Sequence, residues 1–202
     1  DKTWYFADYV VFFISQVQRQ LPTPELVEFF SVQTPEYVVR LGGVDFVWVY
    51  RSPVLLSGLP PAVEERLEDQ RLGEELALVG YALSADRVRP GDELYVTLYW
   101  QARFQLDQDY EFEVLVIDAE GQVIARQAGP SFNGYFPTSW WEPGRTMTDR
   151  YRIPLSEDIR PGPYWLAVRA HRPGEAAALT PHGQLHSHRP DGLLISPLIL
   201  EP

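Results

Sequence analysis

DELYVTLYWQA, Asp92–Ala102, decides the fold class. Leu94, Val96, Leu98 and Trp100 occupy every second position, which sets them on one face of a strand. A helix would scatter the same four side chains around its circumference. A strand with one apolar face needs a second layer to bury it, and the neighbouring segments supply one. ELALVGYALS (Glu75–Ser84) reads as a strand. DYEFEVLVID (Asp109–Asp118) places Tyr110, Phe112, Val114 and Val116 on one face and then turns apolar on both. DAEG (Asp118–Gly121) is a turn and QVIARQ returns from it. DRYRIPL carries Tyr151, Ile153 and Leu155, PYWLAVRAH carries Tyr164, Leu166, Val168 and Ala170, and GLLISPLILEP supplies a last strand broken near Pro197. Arg89-Pro90-Gly91, Glu142-Pro143-Gly144 and Arg160-Pro161-Gly162 each precede strand-like sequence and fit a type II turn, with proline presetting φ and glycine accepting positive φ. Arg172-Pro173-Gly174 repeats the letters before a stretch that reads as a loop. Strands at this spacing from residue 75 to 202 predict an immunoglobulin-like antiparallel β-sandwich.

The first 52 residues have another texture. YVVFFI (Tyr9–Ile14) is a continuous apolar run that suits a strand buried on both sides. PELVEFFSV (Pro24–Val32) predicts a helix, with Thr23 at the cap, Pro24 in the first turn and Leu26, Phe29 and Phe30 on one face. Tyr37–Leu41 and Val44–Tyr50 flank Gly42-Gly43 and read as a hairpin. The segment is a small, partial α/β unit. Residues 53–74 carry a Pro-Pro step and a run of acids, and read as a linker or inter-domain segment with a thinly amphipathic helix from Pro61 to Arg71. Structured texture begins within a few residues of Asp1, which suggests a piece of a longer protein; no signal-peptide pattern stands there.

The formal net charge of −11 opposes phosphate backbones and anionic lipid, so nucleic acid is not an expected partner. The absence of cysteine removes disulfides, thiol nucleophiles and thiolate metal sites. No glycine-rich phosphate loop, G-x-S-x-G elbow or H-E-x-x-H is present, so no catalytic residue and no cofactor are assigned. His182, His186 and His188 cluster in PHGQLHSH and could meet a metal with Asp191; the plain reading is a polar loop. Asp107, Asp109, Glu111, Glu113, Asp118 and Glu120 lie close in sequence. Glu111 and Glu113 read as the solvated face of a sheet, and Asp118–Glu120 lacks the pattern of a calcium loop. A stand-alone glycan hydrolase would need two of these carboxylates converging in a cleft.

GYFPTSWWEPGR (Gly134–Arg145) concentrates aromatic rings between two strands, where a sandwich chain crosses from one sheet to the other. Tyr135, Trp140 and Trp141 are candidates for stacking on a sugar ring, with Asn133, Arg145 and Asp149 as polar partners. The competing reading is closure of the core, with one of the two adjacent tryptophans inward and the other outward. Trp100 and Trp165, on strands, read as packing residues.

In combination, Ala7–Arg51, LVGYALS, RPGDELYVTLYWQA, YEFEVLVIDAEGQVIARQ, GYFPTSWWEPGRTMTDRYRIPL and RPGPYWLAVRAH resemble the extracytoplasmic C-terminal region of bacterial polytopic membrane glycosyltransferases, similar to the dolichyl-phosphate-mannose protein mannosyltransferases. The resemblance implies a non-catalytic accessory domain, structural or acceptor-guiding, outside the cell membrane and tethered in the full-length protein. Its implied partners are the membrane-embedded part of the same polypeptide and a glycan or protein acceptor. A carbohydrate-binding module is the alternative.

Overall fold

The computed structural model describes residues 9–52, 54–55, 65–134, 136–183 and 192–202. The chain divides into two compact units, Asp1–Leu55 and Leu56–Pro202.

In the first unit, β1 (Tyr9–Phe13), α1 (Ile14–Gln18), α2 (Pro24–Ser31), β2 (Tyr37–Leu41) and β3 (Val44–Arg51) precede a two-residue strand, β4 (Val54–Leu55). β3 lies between β1 and β2, antiparallel to both. The β2–β3 turn needs positive φ at both central residues, and Gly42 (57°) and Gly43 (82°) adopt it. Phe12 packs on Phe30 of α2 (5.1 Å between ring centroids) and on Tyr50 of β3 (5.9 Å), and Phe29 and Phe30 are buried. Phe12, Val17, Val27, Phe30, Trp48 and Tyr50 surround a cavity of about 290 Å³. The expectation of two-sided burial for β1 is corrected: Tyr9, Val11 and Phe13 are exposed, because α2 packs only on the face that carries Phe12.

The second unit is mostly β, with two sheets. Its strands are β5 (Glu65–Leu72), β6 (Leu76–Leu83), β7 (Arg87–Val88), β8 (Glu93–Ala102), β9 (Glu111–Ile117), β10 (Val123–Pro130), β11 (Thr146–Pro154), β12 (Gly162–His171), β13 (Pro181–His182) and β14 (Leu193–Leu200). One sheet contains β13-β5-β6-β8-β11 in that order, and the other β10-β9-β12-β14-β7. Described neighbours are antiparallel except β7 and β14, which run parallel. Leu94, Val96, Leu98 and Trp100 of β8 are fully buried, as are Phe112, Val114 and Val116 of β9 in the other sheet, and the Trp100 and Phe112 rings lie 5.2 Å apart between centroids. Tyr164, near the start of β12, donates its hydroxyl to the Arg160 carbonyl at 2.8 Å.

Glu65–Arg71 was expected to belong to a helix and is strand β5. Leu67 and Leu72 point into the core, and a bulge at Asp69 (φ 56°) shifts the register between Arg66 and Gln70, so the alternation is broken. Pro61–Glu64 lie outside the described residues. Three of the Pro-Gly turns close: the N–H of Asp92, Arg145 and Glu175 reaches the carbonyl of Arg89, Glu142 and Arg172. The last of these is the repeat read as leading into a loop. At Arg160-Pro161-Gly162 the fourth position is Pro163, which has no N–H to close the turn.

Candidate functional site

The crossing segment between β10 and β11 closes the core of the second unit. Trp141 is fully buried, stacked on Phe112 (centroids 6.1 Å, planes 13° apart), and its indole N–H donates to the Phe136 carbonyl. Thr138, also buried, accepts from the Tyr110 N–H at 2.8 Å and donates to the Gln108 carbonyl at 3.2 Å. Phe132 and Asn133 are left-handed (φ 51° and 52°), an uncommon conformation for side-chain-bearing residues. Asp149 helps to hold that bend: its buried carboxylate accepts from the Phe132 N–H (3.3 Å) and the Tyr151 hydroxyl (2.8 Å). Burial pushes the Asp149 carboxyl up to about 6 against the pull of these hydrogen bonds, and burial beside it pushes the Tyr151 hydroxyl up as well.

Two expected sugar contacts are thereby corrected: Trp141 and Asp149 are core residues, closed off from any ligand in solvent. Trp140 is half-buried with its edge on Phe136 (6.0 Å), Asn133 is exposed, Arg145 pairs with Glu142 at 2.6 Å, and Tyr135 lies outside the described residues. This segment is mainly a lid on the core.

A second cluster lies on the outer face of the β10-β9-β12-β14 sheet. Because Phe112, Val114 and Val116 turn inward, Glu111, Glu113, Leu115 and Ile117 turn outward. Register then fixes their neighbours: on β12, His171, Arg169, Ala167 and Trp165 stand opposite Glu111, Glu113, Leu115 and Ile117, and on β10, Arg126 stands opposite Leu115. Directly paired residues share a face. One end of this face is apolar: Leu115, Ile117 and Ala167 are buried, and half-buried Trp165 and Leu194 pack against them. The other end is a polar hub. The Glu113 carboxylate, 17% exposed, has His171 Nε2 at 3.2 Å, Arg126 Nη1 at 3.7 Å and Arg169 Nη1 at 3.8 Å. A half-buried indole on an aliphatic bed, on the same sheet face as a carboxylate acceptor and nitrogen donors, suits a ligand that combines apolar C–H faces with hydroxyl groups. Sequence reading assigned Trp165 to packing and Glu113 to a solvated face. The available signal was the change at Leu115, where β9 turns apolar on its outward side.

The remaining candidates do not assemble. His182 is 4.0 Å from Glu74, which also pairs with Arg71 and Arg103. His186, His188 and Asp191 lie outside the described residues, among which no group of three His, Cys, Asp or Glu could hold a metal. Asp109 accepts from the Ser139 N–H of the crossing segment, Asp118 accepts from the Gln122 N–H in the β9–β10 turn, and Asp107 and Glu120 are exposed.

No family model matches the chain, and no curated protein matches it. Among solved structures it is similar to the crystal structure of the C-terminal domain of wzt, with 12% identity over 71% of this chain and 83% of that chain and a TM-score of 0.43. The expected kinship with dolichyl-phosphate-mannose-type glycosyltransferases is corrected: no family model and no curated protein carries it. The extracytoplasmic, tethered location rested on that kinship and is corrected with it. Among the described residues no helix is long and apolar enough to cross a membrane.

Proposed function

We propose that the second unit is a non-catalytic carbohydrate-binding module that uses the outer face of the β10-β9-β12-β14 sheet. The observation that carries this reading is the placement on one sheet face of half-buried Trp165, packed on Leu115, Ile117 and Ala167, and of the Glu113 hub of Arg126, Arg169 and His171. A sugar ring presents an apolar C–H face to an indole and hydroxyls to charged acceptors and donors, whose hydrogen bonds are the stronger kind. The ion pairs around Glu113 fix the polar groups before a ligand arrives, which lowers the ordering cost of binding.

The strand order supports an immunoglobulin-like reading of this module. β6-β8-β11 corresponds to strands A-B-E, and β10-β9-β12-β14 to C′-C-F-G. The hydroxyl of Tyr164, bonded to the carbonyl four residues upstream, sits where such folds carry a tyrosine corner.

The test is a glycan panel read by chemical-shift perturbation on the labelled protein. Shifts should centre on Trp165, Ala167 and Arg169, and Trp165→Ala should weaken binding by about tenfold or more, a loss of about 1.4 kcal/mol. Shifts that centre on Trp140 would move the site to the crossing segment, and a silent panel would sink the reading.

A further inference from the structure

We infer that the ligand of this face is a segment of a neutral oligosaccharide laid along β9 and β12, with one sugar on Trp165 and another at Glu113, and not a single sugar in a pocket. The inference rests on the carbohydrate reading above and adds length, direction and charge to it.

Length comes from register. Trp165 stands opposite Ile117 and Arg169 opposite Glu113, so platform and hub are four residues apart on both strands. At about 3.3 Å per residue that is roughly 13 Å, longer than one hexose ring and suited to a short chain of linked sugars. Direction comes from what lies between. The intervening pair on this face is Leu115 and Ala167, apolar and buried under the side chains that pack on them, so between the two ends the face offers a ligand no polar group of that pair. A chain running along the strands would reach the ring at one end and the hub at the other and span the buried pair between them.

Charge selects among glycans. Arg126 and Arg169 both face Glu113, and exposed Glu111 stands next along the same strand face. Two guanidinium groups against two carboxylates leave no excess positive charge when His171 is neutral. The whole protein carries −11. A polyuronate or phosphorylated glycan would approach against that field, whereas a neutral chain would not. The hub is suited to hydroxyl groups, which can donate to Glu113 and accept from the arginines in one contact.

The experiment is calorimetric titration of the full chain with gluco-, manno- and galacto-oligosaccharide ladders from mono- to hexasaccharide, and with an oligogalacturonide ladder. In any neutral ladder that binds, affinity should rise about tenfold or more from mono- to trisaccharide and then level off. Trp165→Ala and Glu113→Gln should each remove most of that rise while the shortest ligands change little. Arg126→Ala, at an exposed position, repeats the measurement without touching buried packing. A monosaccharide bound as tightly as the longer chains overturns the inference and leaves the carbohydrate reading standing. So does preference for the oligogalacturonides. Failure of every ladder to bind overturns both.

Discussion

Asp149 is a buried carboxylate with no ion pair among the described residues, held by the Tyr151 hydroxyl and the Phe132 N–H. Its pKa is raised from 3.8 to about 6 by loss of hydration. At the lowest pH the group is protonated in both folded and unfolded chains and costs nothing. As pH rises past the unfolded value, the unfolded chain ionises while the folded one keeps its proton, so stability falls. The loss is complete above the folded value. A shift of this size corresponds to at most about 3 kcal/mol. Asp149→Asn keeps a carbonyl acceptor for both donors and removes the titration. Urea midpoints measured at a series of pH values from about 4 to 7 should therefore fall less steeply for the variant than for the parent. Parallel profiles would show that Asp149 ionises normally. In the sequence, Asp149 stood out only as a polar neighbour of an aromatic segment. That it supports the left-handed bend at Phe132 depends on a contact across 17 positions, which no local pattern encodes.

At the scale of elements, legibility followed periodicity. β8 alternates cleanly and β9 does so up to Val114, Gly42-Gly43 dictates a turn, and α2 opens on a proline with apolar residues on one face; each was readable because a single local rule governs it. β5 was not, because the Asp69 bulge breaks its period and its charged residues suit an exposed helix equally well. The same bulge makes a prediction. Gly183 follows β13, whose Pro181 and His182 pair with Leu72 and Arg71 of β5. A Cβ on Gly183 would collide with the Asp69 carbonyl and the Gln70 side-chain amide, and its φ of 124° is open only to glycine. At Gly174, φ is 75° and nothing stands within 4 Å. Gly183→Ala should therefore cost on the order of 2–3 kcal/mol, against about 1 kcal/mol for Gly174→Ala. Equal shifts in Tm for the two variants would show that the bulge yields to the added methyl and does not anchor β13.

At the scale of the molecule, the two units divide the work unevenly. The first unit keeps a small aromatic core of Phe12, Phe29, Phe30 and Tyr50, with the other sheet face exposed at Tyr9, Val11 and Phe13. A segment of that size buries little apolar surface per residue. The second unit buries both inner sheet faces and carries every residue of the proposed binding face. That face escaped sequence reading because Glu113 and Trp165 come to share it only through the register of two strands separated by β10, the crossing segment and β11. Residues 56–202 expressed alone should therefore unfold in one cooperative transition and bind the same glycans with affinity within about threefold of the full chain, a difference under 1 kcal/mol. Residues 1–55 alone should show no cooperative melt. A 56–202 fragment that folds but has lost glycan affinity would mean that the first unit contributes to the site, and the binding face would then have to be redrawn to include it.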